Sequence, residues 1–225
     1  MKPASRRRLG KLVGLVAGGA LVAFLCAPGN EHLHAAGPMN TGHGEVACAG
    51  CHRTAQGTLR QQLGAAARTW VGIEATRIDV GYRAVTNDEC VACHVRPDDR
   101  HPVFRFLEPR FADARAAIHP ERCTSCHGEH QGTRVTTADL TFCRHCHTDI
   151  QLDADPLDVP HETLAATGQW ESCLGCHDFH GNHAGKPPPR MGDAHTPTTI
   201  RTYLDGGPSP YGPAIRRAIT PEQTP

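Results

Sequence analysis

The sequence predicts a fold of loops and short α-helices with very little β-structure, packed around something other than its own side chains. Three observations predict this. Only 39% of the 225 residues are hydrophobic and 5% aromatic, which is thin material for an apolar core in a chain of this length. Glycine, proline, aspartate and asparagine recur every few residues, and no alternating apolar pattern lasts long enough to build a sheet. Finally, 11 cysteines and 16 histidines far exceed what a soluble domain carries, so their placement decides the class of protein.

Residues 1–35 come first. Lys2, Arg6, Arg7, Arg8 and Lys11 precede an unbroken apolar run from Leu12 to Ala27, the pattern of a secretory signal peptide or, if uncleaved, an N-terminal membrane anchor. A small-residue cleavage site falls near Ala35 or Ala36. Cys26 follows the bulky Leu25 and reads as part of the apolar run. Those five cations against Glu31 put +4 in the leader, and a chain of net charge 0 therefore keeps about −4 in the remainder. That remainder has no basic excess, which argues against nucleic acid and anionic lipid as partners.

The body, residues 36–183, contains no further run long enough to cross a bilayer. Thr58 to Val71 sets Leu59, Leu63, Ala66, Ala67 and Trp70 on one face at helical spacing and is predicted as a helix packing over the interior. Arg110 to Ile118 is predicted as a shorter helix that stops before Pro120. Residues 184–225 change texture. Pro187, Pro188, Pro189, Pro197, Pro208, Pro210, Pro213, Pro221 and Pro225 predict an extended, proline-rich tail, with Tyr203, Leu204, Tyr211 and Ile215 as residues able to dock it.

The cysteines carry the chemistry. Five times the chain reads Cys-x-x-Cys-His: Cys48, Cys51 and His52; Cys90, Cys93 and His94; Cys123, Cys126 and His127; Cys143, Cys146 and His147; Cys173, Cys176 and His177. With cysteine at about 5% and histidine at about 7% of positions, chance supplies roughly 0.04 such motifs in this length. The pattern is that of c-type haem attachment. Two cysteines three apart on one helical turn can each form a thioether with a porphyrin vinyl group, and the adjacent histidine becomes the proximal iron ligand. Five haem c groups are expected, and they would serve as the core that the side chains cannot supply. A zinc ribbon from Cys123, Cys126, Cys143 and Cys146 has suitable spacing, and an exported chain permits disulfides. Neither alternative explains a histidine after every pair. Haem c is attached after export, so a Sec-type route to the periplasm fits better than the twin-arginine route suggested by Arg6 and Arg7, which carries folded cargo.

A second ligand to each iron is expected from histidine, because Met39 and Met191 are the only methionines beyond Met1 and His/Met irons of raised potential must be few. The distal candidates are His43, His101, His119, His130, His161 and His180; His145, His183 and His195 read more readily as surface or structural residues. CTSCHGEHQG and CLGCHDFHGN both place a histidine three after the proximal one. On a helix His130 and His180 would share a face with His127 and His177, so each is expected to ligate a neighbouring haem.

The segments GHGEVACAGCH, RPDDRHPVFRF and SCLGCHDFHGNH resemble those of the multihaem cytochrome c family related to cytochromes c3 and c7, as found in the periplasm of proteobacteria. The resemblance covers about residues 43–183. It implies an electron carrier, or an electron-transfer subunit beside a membrane quinol oxidase or a terminal reductase. The chain departs from the membrane-anchored multihaem quinol dehydrogenases: the first motif lies away from the apolar run, and no methionine closely follows His52. The expected function is therefore electron transfer between redox partner proteins through mostly bis-histidine, low-potential haems, with no catalysis. The alternatives are a reductase of nitrite or a sulfur compound, which needs one open iron, and an electron-transfer subunit of a membrane quinol-linked complex.

Overall fold

A computed structural model describes residues 3–25, 27, 30, 33, 35–73, 79–94, 99–183 and 186–213. Cys26 and Ile215 lie outside these. The chain divides into two compact units, Met1–Pro38 and Met39–Pro225.

The first unit holds helix α1 (Pro3–Leu25). Its Arg7–Leu25 portion, 19 residues of mean hydropathy 1.7, is long and apolar enough to cross a membrane, a test that a signal sequence also passes.

The second unit is helical and irregular. Its helices are α2 (Cys48–Cys51), α3 (Leu59–Trp70), α4 (Asn87–Val91), α5 (Ala112–Ile118), α6 (His161–Ala166), α7 (Cys173–Cys176) and α8 (Pro197–Leu204). Single 3-10 turns stand at Cys123–Ser125 and Phe142–His145. Among the described residues β-pairing is limited to one isolated antiparallel bridge, Thr54 with Tyr82.

The α3 helix forms where the apolar spacing predicts it, started by a capping box between Thr58 and Gln61. Leu59, Leu63 and Trp70 are exposed, Trp70 by 88%, while Gln62 is buried. The Gln62 amide donates to the carbonyls of Ala55 and Gly57 at 3.1 and 3.0 Å and its oxygen accepts the Gly81 N–H at 2.9 Å. A polar side chain that satisfies loop backbone fixes this helix where apolar contact does not. The α5 helix ends at His119, whose backbone is left-handed (φ 47°) just before Pro120.

Only five apolar side chains are buried among the described residues: Phe106, Ala114, Leu140, Leu174 and Ile200. Leu140, Leu174 and Ile200 form one cluster, joined by Phe142, Phe179, Leu204 and Tyr211. Residues 186–213 thus pack on the fifth Cys-x-x-Cys-His motif, where the sequence suggested an extended tail. Tyr211 Oη donates to the Leu174 carbonyl at 2.6 Å, and the His195 N–H donates to the Gly175 carbonyl at 3.0 Å. The Arg134 guanidinium lies 4.2 Å from the Tyr203 ring and donates to the Gly207 carbonyl at 2.9 Å.

Candidate functional site

The five Cys-x-x-Cys-His motifs share one local conformation. In each, the histidine N–H donates to the carbonyl of the first cysteine, at 2.8 Å for His52, 2.9 Å for His94, His127 and His177, and 3.0 Å for His147. One helical turn therefore carries both thiols on one side and then ends. His52 (φ −94°, ψ 97°) and His177 (φ −117°, ψ 130°) are already extended. The helical register expected to align His130 with His127, and His180 with His177, is absent because the turn stops at the second cysteine. His130 sits instead in left-handed backbone, φ 65°, a conformation that a non-glycine residue holds only under constraint from its surroundings.

Five of the candidate distal histidines meet a motif histidine. Five imidazole pairs result, with ring centroids 5.9 Å apart for His43 and His94, 6.2 Å for His52 and His130, 6.2 Å for His101 and His147, 6.2 Å for His127 and His180, and 6.1 Å for His161 and His177. Each pair contains one motif histidine and one candidate distal histidine, and no residue is used twice. Two metal–imidazole bonds of about 2.0 Å, with about 1.1 Å from nitrogen to ring centroid, separate two trans imidazoles by roughly 6.2 Å. The spacing fits one iron between each pair.

Five of these ten rings have an acceptor on Nδ1. Nδ1 of His43 lies 2.8 Å from Glu129 Oε2, that of His161 2.9 Å from both Asp155 oxygens, and that of His180 3.1 Å from both Asp99 oxygens. Nδ1 of His101 donates to the Phe179 carbonyl at 2.5 Å and Nδ1 of His127 to the Arg134 carbonyl at 3.0 Å. A proton held on Nδ1 leaves Nε2 with a free lone pair, the tautomer a metal ligand needs. Burial pushes His101 and His177 below the ordinary imidazole range, which favours the neutral ring. The Asp155 carboxyl is held below its usual range first by the His161 N–H. Burial pushes Glu129 upward, but hydrogen bonds from the Asn40 N–H and His43 outweigh it and leave the carboxyl low.

The pairing follows a rule. His43 precedes the first motif and faces the second; His101 precedes the third and faces the fourth. His130 follows the third motif and faces the first; His180 follows the fifth and faces the third. Advancing two motifs carries each pairing onto the next, so the body is a two-motif repeat. The fifth motif departs from the rule: α6 delivers His161 from the stretch just before it.

The repeat also interlocks the pairs. Residues 127–130 serve three of them: His127 in its own, His130 with His52, and Glu129 beneath His43. Residues 177–180 do the same, through His177, His180 and the Phe179 carbonyl. Asn87 ties the second motif to the third, donating to the Glu121 carbonyl at 2.7 Å and accepting the Cys123 N–H at 2.9 Å.

His119 stands apart: exposed, it has Nδ1 3.4 Å from Glu121 and faces no motif histidine among the described residues. His145 likewise faces none. Both ring nitrogens of the buried His183 are occupied, by Asp178 at 2.7 Å and Ser209 at 3.0 Å, and His195 packs edge-on to Tyr211.

None of the ten motif cysteines is in a disulfide. Burial pushes the thiols of Cys51, Cys126, Cys146 and Cys176 up. Cys90 shares a hydrogen bond with Cys123, as Cys143 does with Cys173, which raises Cys90 and Cys143 further and sets the second motif against the third and the fourth against the fifth. Among the described residues no three cysteine, histidine or acidic groups converge on one point as a zinc cage requires.

Comparison of the chain with models of known protein families, with curated proteins and with solved structures returns no match. The functional reading therefore rests on the residues. The motif cysteines and histidines are visible in the sequence; the Nδ1 partners Asp99, Glu129 and Asp155 and the Arg134 and Phe179 carbonyls are not. The sequence signal that points to them is the recurrence of the Cys-x-x-Cys-His-x-x-His segment two motifs apart.

Proposed function

We propose that this chain is a periplasmic electron-transfer protein that holds five c-type haems, each iron ligated by two histidines, and passes electrons between redox partner proteins. The observation that carries the reading is the set of five imidazole pairs at 5.9 to 6.2 Å, one for each Cys-x-x-Cys-His motif. A zinc ribbon or a disulfide framework would give those histidines no reason to pair. When bound, each haem supplies a one-electron couple.

The chain supplies the rest. The paired thiols would hold each haem by thioether bonds, and the motif histidine would be one ligand to its iron. The second histidine would be His130, His43, His180, His101 and His161 for the first to fifth motifs in turn. Acceptors on Nδ1 fix the ring orientation and tautomer. With two histidines available to each iron, none would offer a place for nitrite or a sulfur substrate, so the arrangement favours a carrier over a reductase. Because His43, His101, His130 and His180 each reach past the nearest motif to another one, these four bind the motifs into one array. The apolar α1 helix serves export through the Sec route or anchorage in the inner membrane.

The test is a haem count by pyridine haemochrome on the purified holoprotein, followed by addition of carbon monoxide and nitrite to the reduced form. Five haems per chain and an unchanged spectrum are expected. A carbon monoxide complex or nitrite turnover would overturn the carrier reading, and fewer than five haems would overturn the stoichiometry.

A further inference from the structure

The two-motif repeat contains two equivalent imidazole pairs, His43 with His94 and His101 with His147, and backs them differently. Two residues past the third motif's histidine stands Glu129. Its Oε2 accepts from Nδ1 of His43 at 2.8 Å while its Oε1 accepts the Asn40 N–H at 2.6 Å. Two residues past the fifth motif's histidine stands Phe179. There the backbone carbonyl accepts from Nδ1 of His101 at 2.5 Å, and the Phe179 ring stacks on His101 at 4.2 Å and 10°. One distal histidine thus leans on a carboxylate, the other on a neutral carbonyl beside an apolar ring.

The difference matters at the metal. A carboxylate draws the Nδ1 proton more strongly than a carbonyl does and makes the imidazole a more electron-rich donor, which favours the oxidised iron.

We propose that Glu129 is a positioning residue that sets the His43/His94 iron at a lower potential than the His101/His147 iron, so that the repeat is electrically polarised along its length. This deepens the proposed function and rests on the reading of the five pairs as iron ligands. His161 on Asp155 and His180 on Asp99 share the carboxylate support of His43, which leaves the His101/His147 iron as the one reduced ahead of those three.

The experiment is a spectropotentiometric titration of the full haem-loaded protein and its Glu129→Gln variant, with EPR of both. Glutamine keeps an oxygen that can accept from His43 and removes the charge. The variant should retain five low-spin haems while one component of the titration moves upward by about tenfold in its reduction equilibrium, about 59 mV for one electron. Asp155→Asn should move a different component in the same direction, and the double variant should move both.

Titrations of Glu129→Gln and Asp155→Asn that superimpose on the native curve, with five low-spin haems, would overturn the tuning role and leave the ligand reading standing. A high-spin signal in Glu129→Gln would also overturn it, since the carboxylate would then only place the ring. A His43→Ala protein that keeps all five haems low-spin would overturn the ligand reading underneath.

Discussion

His130 faces His52 at 6.2 Å with the ring planes 25° apart, and reaches it from left-handed backbone at φ 65°. The geometry turns a histidine away from the motif it follows and toward one far back in the chain. Substitution should therefore act on the iron of the first motif. His52→Ala and His130→Ala should each remove one low-spin haem from the EPR spectrum, and the double variant should remove no second. His127→Ala combined with His130→Ala should remove two. The reverse pattern would assign His130 to its own motif. His119→Ala, by contrast, should leave the spectrum of the native protein unchanged.

The pair His101 and His147 is distinct in having its ring planes at 88°, against 29° for His127 and His180. Perpendicular imidazoles bring two iron d orbitals close in energy and give a strongly anisotropic low-spin signal, whereas nearly parallel rings give a rhombic one. One strongly anisotropic component is expected in the EPR spectrum of the oxidised protein, and it should disappear in His101→Ala. Its persistence there would refute the pairing.

Gly175 lies between the cysteines of the fifth motif, and a Cβ at this position would stand 2.4 Å from the His195 carbonyl oxygen. That neighbour is backbone and is tied to Gly175 by its own hydrogen bond, so it yields only if the segment lifts. Gly175→Ala should cost about 1–3 kcal/mol, and Ile200→Ala, at a fully buried position, about 2–5 kcal/mol. Trp70→Ala, at an exposed position, should cost little. Chemical denaturation of the holoprotein followed by far-ultraviolet circular dichroism measures all three. Equal midpoints for the native protein and Gly175→Ala would show that the proline-rich segment does not grip the motif.

Much of this was legible in the sequence because local chemistry wrote it there. The motif cysteines and histidines are fixed by their spacing, α3 by its apolar period, and the scarcity of β-pairing among the described residues by the recurrence of turn formers. Five of the six distal candidates, His43, His101, His130, His161 and His180, meet a motif histidine; His119 does not, because α5 ends on it in left-handed backbone with its ring at the surface. The partner of each histidine was not legible, since it depends on contacts such as Asn40 to Glu129 that join distant segments. The packing of residues 186–213 was legible in part: Tyr203, Leu204 and Tyr211 stand out as residues able to dock it and do so, whereas proline content suggested extension and hid the buried Ile200. The hydrogen bonds of Gln62 to the loop backbone were not legible either, since they join α3 to Ala55, Gly57 and Gly81 through a polar side chain.

Quantitative low-temperature EPR of the oxidised holoprotein, integrated against total haem, tests the central claim most directly. Five bis-histidine irons per chain predict that all of the haem iron integrates as low-spin, with no high-spin signal before or after addition of nitrite. A high-spin signal amounting to one haem per chain would contradict five closed pairs and return the chain to the reductases.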